Sequence, residues 1–446
     1  MIGSARGLIV AAPASGSGKT VVTLGLLRSL ARAGVDVVSA KVGPDYIDPA
    51  FHTAASGRGC RNLDTWAMRP DTLAFGIAAL MDPGRLIICE GVMGLFDGAR
   101  GTPGPADGST ASLAKATGWP VILVVDAAAQ AASVAALVRG FAYHDSAITL
   151  GGVLFNRVGG DTHAAILREA MATHLPGIPV IGCLKRTDDL GLPSRHLGLV
   201  QALEHPDLRT FLDRAADWID AHVDTELLAA LAVVASSMEA EPSNTPSLAP
   251  LGQRISVARD AAFAFAYPHV LEGWRDAGAE LAFFSPLKDE GPTANADAVY
   301  LPGGYPELFA AALSVNDGFR NAMGAARDRD AAIFGECGGY MVLGEELTDA
   351  SGTAHGMLGF LPVRTSFAER ALHLGYRAVR TLNASPLGKG ATSFRGHEFH
   401  YATVLEEVGA PPLFDAGNAA GDAMGTTGLV VGRVAGSFIH LIDRVA

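Results

Sequence analysis

In the first half of the chain, short and nearly continuous apolar runs alternate with longer helix-patterned stretches. The runs fall at residues 8–12, 35–41, 86–90, 121–126, 151–156 and 180–184. Strands that are apolar throughout, rather than at every second position, predict burial on both faces. The helical stretches between them predict crossovers, and together these give a parallel sheet covered on both sides. Ligands of such sheets gather at the carboxyl ends of the strands. A second series starts further on, with strands expected at 255–258, 281–284, 298–301 and 331–334, an alternating run at 394–401 and a last strand ending at His440. Between the two series, residues 235–250 carry Pro242, Pro246 and Pro250 among small polar residues and show no apolar period, which predicts a linker.

The expected organisation is therefore α/β, with two doubly wound, largely parallel-sheet domains at 1–235 and 254–446 joined by a linker at 236–253. A length of 446 residues fits this division, since each half can bury its own core. The four cysteines, Cys60, Cys89, Cys183 and Cys337, show no Cys-x-x-Cys pairing. That argues against a structural zinc site and for a reducing compartment, the cytoplasm. No secretory signal and no membrane span are expected from the apolar runs. A formal charge of −12 argues against nucleic acid as a partner, and an anionic substrate would need a local basic pocket. Oligomeric state is left open, a homodimer included.

Two motifs carry chemistry. The first is Pro13-Ala14-Ser15-Gly16-Ser17-Gly18-Lys19-Thr20, set between a strand and a helix. Backbone N–H groups from Ser17 and Gly18 onward and the helix dipole would surround a phosphate, with Lys19 on the terminal phosphates of ATP and Thr20 on Mg²⁺. Pro13 stands where the phosphate-loop pattern has its first glycine. Asp45, Glu90 and Asp97 follow the next two strands and are expected at the triphosphate mouth. Mg²⁺ takes few carboxylates, and Thr20, Asp45 and Glu90 suit it. Asn156 and Lys185-Arg186 also fall at strand ends on this side.

The other motif is Gly335-Glu336-Cys337-Gly338-Gly339-Tyr340, which puts a thiol at a sharp strand-to-helix turn. A cysteine nucleophile needs a base and oxyanion donors. Backbone groups of Gly338, and of Gly303 and Gly304 in Leu301-Pro302-Gly303-Gly304-Tyr305-Pro306, are candidates for the donors. Candidate bases are His355, His373, His397, His400 and His440. His440 is preferred because its strand should end at the same sheet edge. Alternation in 394–401 would put His397 with Phe399 on one face, and Glu398 with His400 on the other.

At this point the residues resemble a family. The N-terminal half resembles the dethiobiotin-synthetase-like phosphate-loop enzymes, and the C-terminal half resembles a class I glutamine amidotransferase domain. Residues 41–49, 62–64, 90–98, 193–199, 301–307, 335–341 and 436–441 are similar to cobyrinic or hydrogenobyrinic acid a,c-diamide synthases, and the resemblance covers nearly the whole chain. It implies a P-loop NTPase-like fold followed by an amidotransferase-like one. It also implies Cys337 as glutaminase nucleophile with His440 as its base, Lys19 and Thr20 on ATP and Mg²⁺, and Asp45 and Glu90 on the metal. Asp97 would lie near the carboxylate being activated, and Tyr46 would contact the corrinoid.

Amidotransferases of the wider class place glutamate two residues after the histidine and glutamine four after the cysteine. Here those positions are Ile442 and Met341. The imidazole must then be oriented by something else, and Asp443 is a weak candidate.

The implied reaction uses corrinoid, glutamine and ATP. A carboxylate is phosphorylated, ammonia is released from glutamine at Cys337, and the acyl phosphate is displaced to an amide, once each at the a and c acetates of hydrogenobyrinic acid in cobalamin biosynthesis. Cobyrinic acid or another tetrapyrrole is the alternative substrate. The rival class is a switch or partitioning ATPase, which carries an extra lysine early in the phosphate loop, where this chain has Ala14.

Overall fold

The computed structural model describes residues 4–102, 106–191, 194–195, 198–199, 201–236, 240–241, 243 and 245–445. Pro193, His196 and Leu197 of the 193–199 run, and 237–239, 242 and 244 of the expected linker, lie outside the described residues. The chain forms two compact units, one of residues 1–66, 73–98 and 104–242, the other of 67–72, 99–103 and 243–446.

The first unit holds a seven-stranded sheet of β1 (Arg6–Ala11), β2 (Val37–Val42), β3 (Arg61–Leu63), β4 (Leu86–Glu90), β5 (Val121–Asp126), β6 (Leu150–Val158) and β7 (Val180–Lys185). Its order is β3-β2-β4-β1-β5-β6-β7 and every pairing is parallel. The central strands are buried along almost their whole length, so their sequences show no polar alternation. Register is what positions chemistry here. Asn62, Lys41, Glu90 and Val10 lie in one lateral row across β3, β2, β4 and β1, so Lys41 and Glu90 project from the same face at the carboxyl edge. A small ribbon, β8 (Ser194–Arg195) with β9 (Gly198–Leu199), completes the strands of this unit.

The second unit opens with β10 (Arg254–Ala258), β11 (Glu280–Phe284), β12 (Ala298–Leu301) and β13 (Ala332–Glu336), all paired in parallel. Beyond them lie β14 (Glu346–Thr348), β15 (Ala354–Gly356), β16 (Val363–Ser366), β17 (His373–Thr381), β18 (Ser393–His400), β19 (Thr403–Glu407), β20 (Pro412–Asn418), β21 (Ala423–Val431), β22 (Val434–Ser437) and β23 (Ile439–Arg444). The main sheet runs β11-β10-β12-β13-β22-β21-β20-β17-β18-β23, parallel as far as β22 and antiparallel after it. A separate four-stranded sheet has the order β15-β14-β16-β19.

The α/β class therefore stands, while the antiparallel half of the second sheet is more than the sequence disclosed. Its strands are short or half-exposed and carry glycine and threonine, as in β21 (AMGTTGLVV), so no continuous apolar run marks them. Among the described residues no helix is long and apolar enough to cross a membrane.

Three separated motifs meet in this sheet. Leu301 of β12, Gly335 of β13 and Gly436 of β22 form one lateral row, so the turns that follow these strands share one edge. The helix Gly338–Leu343 then packs on β12 so closely that a Cβ on Gly339 would lie 1.9 Å from the Leu301 carbonyl oxygen. Neither backbone can yield without losing its ladder. We predict that Gly339→Ala destabilises the second unit by at least about 3 kcal/mol, an overpacking cost at the upper end of the usual range, read as a lowered thermal midpoint in calorimetry.

Candidate active site: a phosphate loop and a cysteine elbow

In the first unit the loop after β1 leads into the helix Lys19–Arg32, with Gly18 capping its amino terminus at φ 90°. The Ser17 hydroxyl donates to the Ala14 carbonyl at 2.9 Å, closing the loop locally. Two neighbouring side chains of β6 hold the loop from outside. The Asn156 amide donates to the Ser17 carbonyl at 2.9 Å, and Arg157, itself paired with Asp126, donates to the Gly16 carbonyl at 2.9 Å. Pro13 at the first pattern position therefore does not prevent a cradle from forming.

Glu90 is the hub of this site. It is fully buried, accepts the Thr20 hydroxyl at 2.8 Å and the Lys41 ammonium at 3.0 Å on one oxygen, and contacts His52 Nε2 at 2.7 Å on the other. Burial alone would favour the neutral acid, but Lys41, His52 and Thr20 drive its pKa well below the ordinary carboxylate value. Lys41 is buried as well, and the carboxylates of Asp48, Glu90 and Asp45 overcome that burial and raise its pKa well above the usual lysine value. Burial also opposes protonation of His52, yet its contacts with the Cys60 thiol and with Glu90 raise its pKa to about 10.

The structure thus brings Thr20 and Glu90 into direct contact. Asp45 stands one step away: one oxygen accepts the N–H groups of Ile47 and Asp48, and the other lies 3.9 Å from Lys41 Nζ. Asp48, given no role from sequence, is nearer, with its carboxylate 2.6 Å from Lys41 Nζ. The Lys19 ammonium donates to the Met93 carbonyl at 2.5 Å, and burial lowers its pKa. Asp97 accepts the Gly94 N–H at 2.8 Å, and Tyr46 is buried. Lys41, Asp48 and His52 were missed as a group, although a lysine and a glutamate ending apolar parallel strands are a readable signal of buried charge.

In the second unit Cys337 takes φ 48° and ψ −106°, a conformation that strains any residue with a Cβ. The Cys337 N–H donates to the Ser437 carbonyl at 2.8 Å, and the Cys337 carbonyl accepts the Met341 N–H at 3.1 Å, so both sides of the elbow are tied. Burial raises the thiol pKa, and the nearby carboxylates of Glu307, Glu336 and Glu398 add to the effect. The resting group is therefore a neutral thiol.

His440 lies beside the elbow. A Cβ on Gly303 would lie 3.0 Å from His440 Nε2, 2.3 Å from its Cε1 and 3.2 Å from the Cys337 Cβ. Ring and elbow thus close on one point that only glycine leaves open. Burial, with His397 and His400 alongside, lowers the His440 pKa to about 3, which leaves the resting imidazole neutral. Gly338 and Gly304 are also in contact, since a Cβ on Gly338 would lie 3.0 Å from the Gly304 nitrogen.

The other histidines have contacts of their own. His355 contacts Asp349 at 2.8 Å, and His397 sits edge-on to Tyr376. His373, Glu398 and His400 form the one three-residue group of metal-ligand type among the described residues. It is a brace rather than a metal centre: Glu398 accepts Arg377 at 2.7 Å and contacts His400 at 3.0 Å. The two imidazoles stack with planes 9° apart, so their in-plane lone pairs cannot converge.

Asp443 does not orient His440. Three residues on along β23, it accepts the backbone N–H of Arg69 at 2.8 Å and its guanidinium at 3.1 Å. The carboxylate that does face the imidazole is Glu336, whose Oε2 lies 3.9 Å from His440 Nδ1. Burial raises the Glu336 pKa to about 7.

A carboxyl whose pKa is raised on folding contributes stability that is complete below its unfolded value, near 4.5, and is lost as pH climbs to about 7. Glu336→Gln cannot ionise and escapes that loss. Its stability relative to wild type should therefore rise between pH 4.5 and 7, by up to about 1.4 kcal/mol per unit, and level off above. Denaturant titrations at pH 5 and pH 8 measure this, and a difference that stays constant would contradict it.

Comparison with known proteins matches the chain in two parts. Residues 8–200 match the CobQ/CobB/MinD/ParA nucleotide binding domain, and residues 254–444 match the CobB/CobQ-like glutamine amidotransferase domain. The chain is 52% identical over 439 residues to a hydrogenobyrinate a,c-diamide synthase of Brucella abortus, covering 98% of each chain. It is 54% identical over 443 residues to that of Rhizobium meliloti, covering 98% of this chain and 99% of the relative. For the Mesorhizobium japonicum protein of the same name the figures are 46% over 443 residues, 99% and 100%. With a nucleotide cradle in one unit, a cysteine–histidine elbow in the other and near-complete coverage by these relatives, the chain belongs to the hydrogenobyrinate a,c-diamide synthase family.

Proposed function

We propose that this protein amidates the a and c acetate carboxylates of hydrogenobyrinate, using ATP to form acyl phosphates and glutamine as the source of ammonia, in cobalamin biosynthesis in the cytoplasm. The observation that carries this reading is the presence in one chain of a phosphate loop whose Thr20 meets a buried glutamate and of a buried cysteine facing a neutral histidine.

Carboxylate oxygens are poor leaving groups on a poor electrophile, so the first unit must make an acyl phosphate. Lys19 and the loop N–H groups would hold the terminal phosphates, and Asn156 and Arg157 keep the loop in shape. The residues present fit Mg²⁺: the Thr20 hydroxyl and the Glu90 carboxylate, 2.8 Å apart, are hard oxygen donors at the start of the helix that follows the loop. Asp48 and Asp45 supply further hard oxygen donors beside them. Bound there, the ion would neutralise charge on the moving phosphoryl group. Asp97 and Tyr46 are the residues proposed to face the corrinoid.

In the second unit the Cys337 proton passes to His440 as sulfur attacks the glutamine carboxamide, with Gly303, Gly304 and Gly338 lining the place where the oxyanion develops. The amide nitrogen leaves as ammonia, water hydrolyses the thioester, and ammonia displaces phosphate from the acyl phosphate.

Cys337→Ala should lower glutamine-dependent amidation at least about 1,000-fold while activity with high ammonium persists. Glu90→Gln should abolish both. Loss of both activities in a folded, ATP-binding Cys337→Ala protein would sink the two-site account. Steady-state assays of hydrogenobyrinate and cobyrinate side by side, each with ATP, Mg²⁺ and glutamine, test the substrate; faster turnover of the cobalt-containing ring would overturn the assignment to the metal-free one.

A further inference from the structure

We propose that Glu336 is the positioning residue of the Cys337–His440 pair, a carboxylate supplied by the strand that leads into the cysteine rather than by the strand that carries the histidine. The proposal deepens the glutaminase reading and rests on it.

The two edges of the His440 ring face different groups. Nε2 lies on the Gly303 side, where Cys337 also closes in, and Nδ1 lies 3.9 Å from Glu336 Oε2. Glu336 has little freedom to move away. Its Oε2 accepts the Tyr300 hydroxyl at 2.7 Å, and its Oε1 accepts the Leu441 N–H at 3.0 Å, both in fully buried surroundings. Leu441 directly follows His440, so one carboxylate holds the backbone beside the histidine and also faces its ring. Parallel pairing of β13 with β22, with Glu336 opposite Ser437, brings this about.

The other charged or titratable groups around His440 do not offer the same contact. From β18 come His397, His400 and Glu398, and Glu398 is already held by Arg377 and His400. Tyr267 approaches edge-on with ring centroids 6.4 Å apart. Asp443 is held by Arg69, and Ile442, where the wider class has its glutamate, carries no charge.

The chemistry needs such a group. When the thiol proton moves to Nε2 and the sulfur–carbon bond forms, the imidazole becomes a cation in a site whose burial opposes that charge. A carboxylate facing Nδ1 at 3.9 Å favours the tautomer with Nδ1–H through its field, which leaves the lone pair on Nε2, and it stabilises the imidazolium. The Nε2 proton then goes to the departing nitrogen as the carbon–nitrogen bond breaks, releasing ammonia. Water attacks the thioester, its proton passes through Nε2 to sulfur, and glutamate leaves.

The test uses full-length Glu336→Gln, Glu336→Asp and His440→Asn proteins, assayed for glutamine hydrolysis and for amidation driven by ammonium. For Glu336→Gln the expected result is a kcat for glutamine hydrolysis about 10–100-fold lower, a KM for glutamine within about twofold, and unchanged ammonium-driven amidation. Glu336→Asp, which restores the charge, should recover several-fold over Glu336→Gln. A kcat in Glu336→Gln within about twofold of wild type, parallel loss of ammonium-driven activity, or no recovery in Glu336→Asp would each overturn the proposal. His440→Asn separates the two levels. If it still hydrolyses glutamine, the reading of His440 as base fails; if it is inactive while Glu336→Gln is like wild type, only the role of Glu336 fails.

Discussion

Each unit is organised around one glutamate buried at the carboxyl end of a central strand. Glu90 and Glu336 occupy corresponding places, on β4 and β13, and both are removed from water. Their surroundings send them in opposite directions. Lys41, His52 and Thr20 surround Glu90 and hold it ionised. Glu336 accepts a tyrosine hydroxyl and a backbone N–H, both neutral donors, and burial pushes its pKa up to about 7. The first arrangement suits a permanent anion facing phosphates and a divalent ion. The other suits a group whose charge matters when a neighbouring imidazole becomes a cation.

Strain and burial at the elbow follow the same logic. Cys337 is held at positive φ by hydrogen bonds on both sides, and its thiol is kept neutral by its surroundings. A thiol of this kind is inert until substrate arrives and a proton acceptor is aligned. Gly303 explains why the His440 ring can come so close, since any side chain there would occupy the space between ring and thiol-bearing carbon.

The site is most legible in the sequence where chemistry and backbone requirement coincide. Lys19 and Thr20 follow a glycine loop between strand and helix, and Cys337 sits between a buried strand and two glycines; both patterns carry their own geometric reason. Roles that depend on which strands become neighbours are less legible. Asp45 and Asp48 lie three residues apart in one turn, and only the packing of Lys41 against Glu90 shows that Asp48 is the nearer to the hub. Asp443 is close to His440 along the chain, but Arg69 takes it.

The sequence alone determined the α/β class and the apolar strands that pair in parallel, and it singled out the phosphate-loop motif, Cys337 and His440 as candidates, although His440 lies near the start of β23 rather than at a strand's end. These rest on local periodicity and on motifs whose spacing is itself the mechanism. Only the tertiary structure decided the antiparallel half of the second sheet and the lateral row that joins Leu301, Gly335 and Gly436. It also decided that the residue before the cysteine, not one after the histidine, faces the imidazole. Strand adjacency is a long-range choice made by packing and register, and no window along the chain contains both members of such a pair.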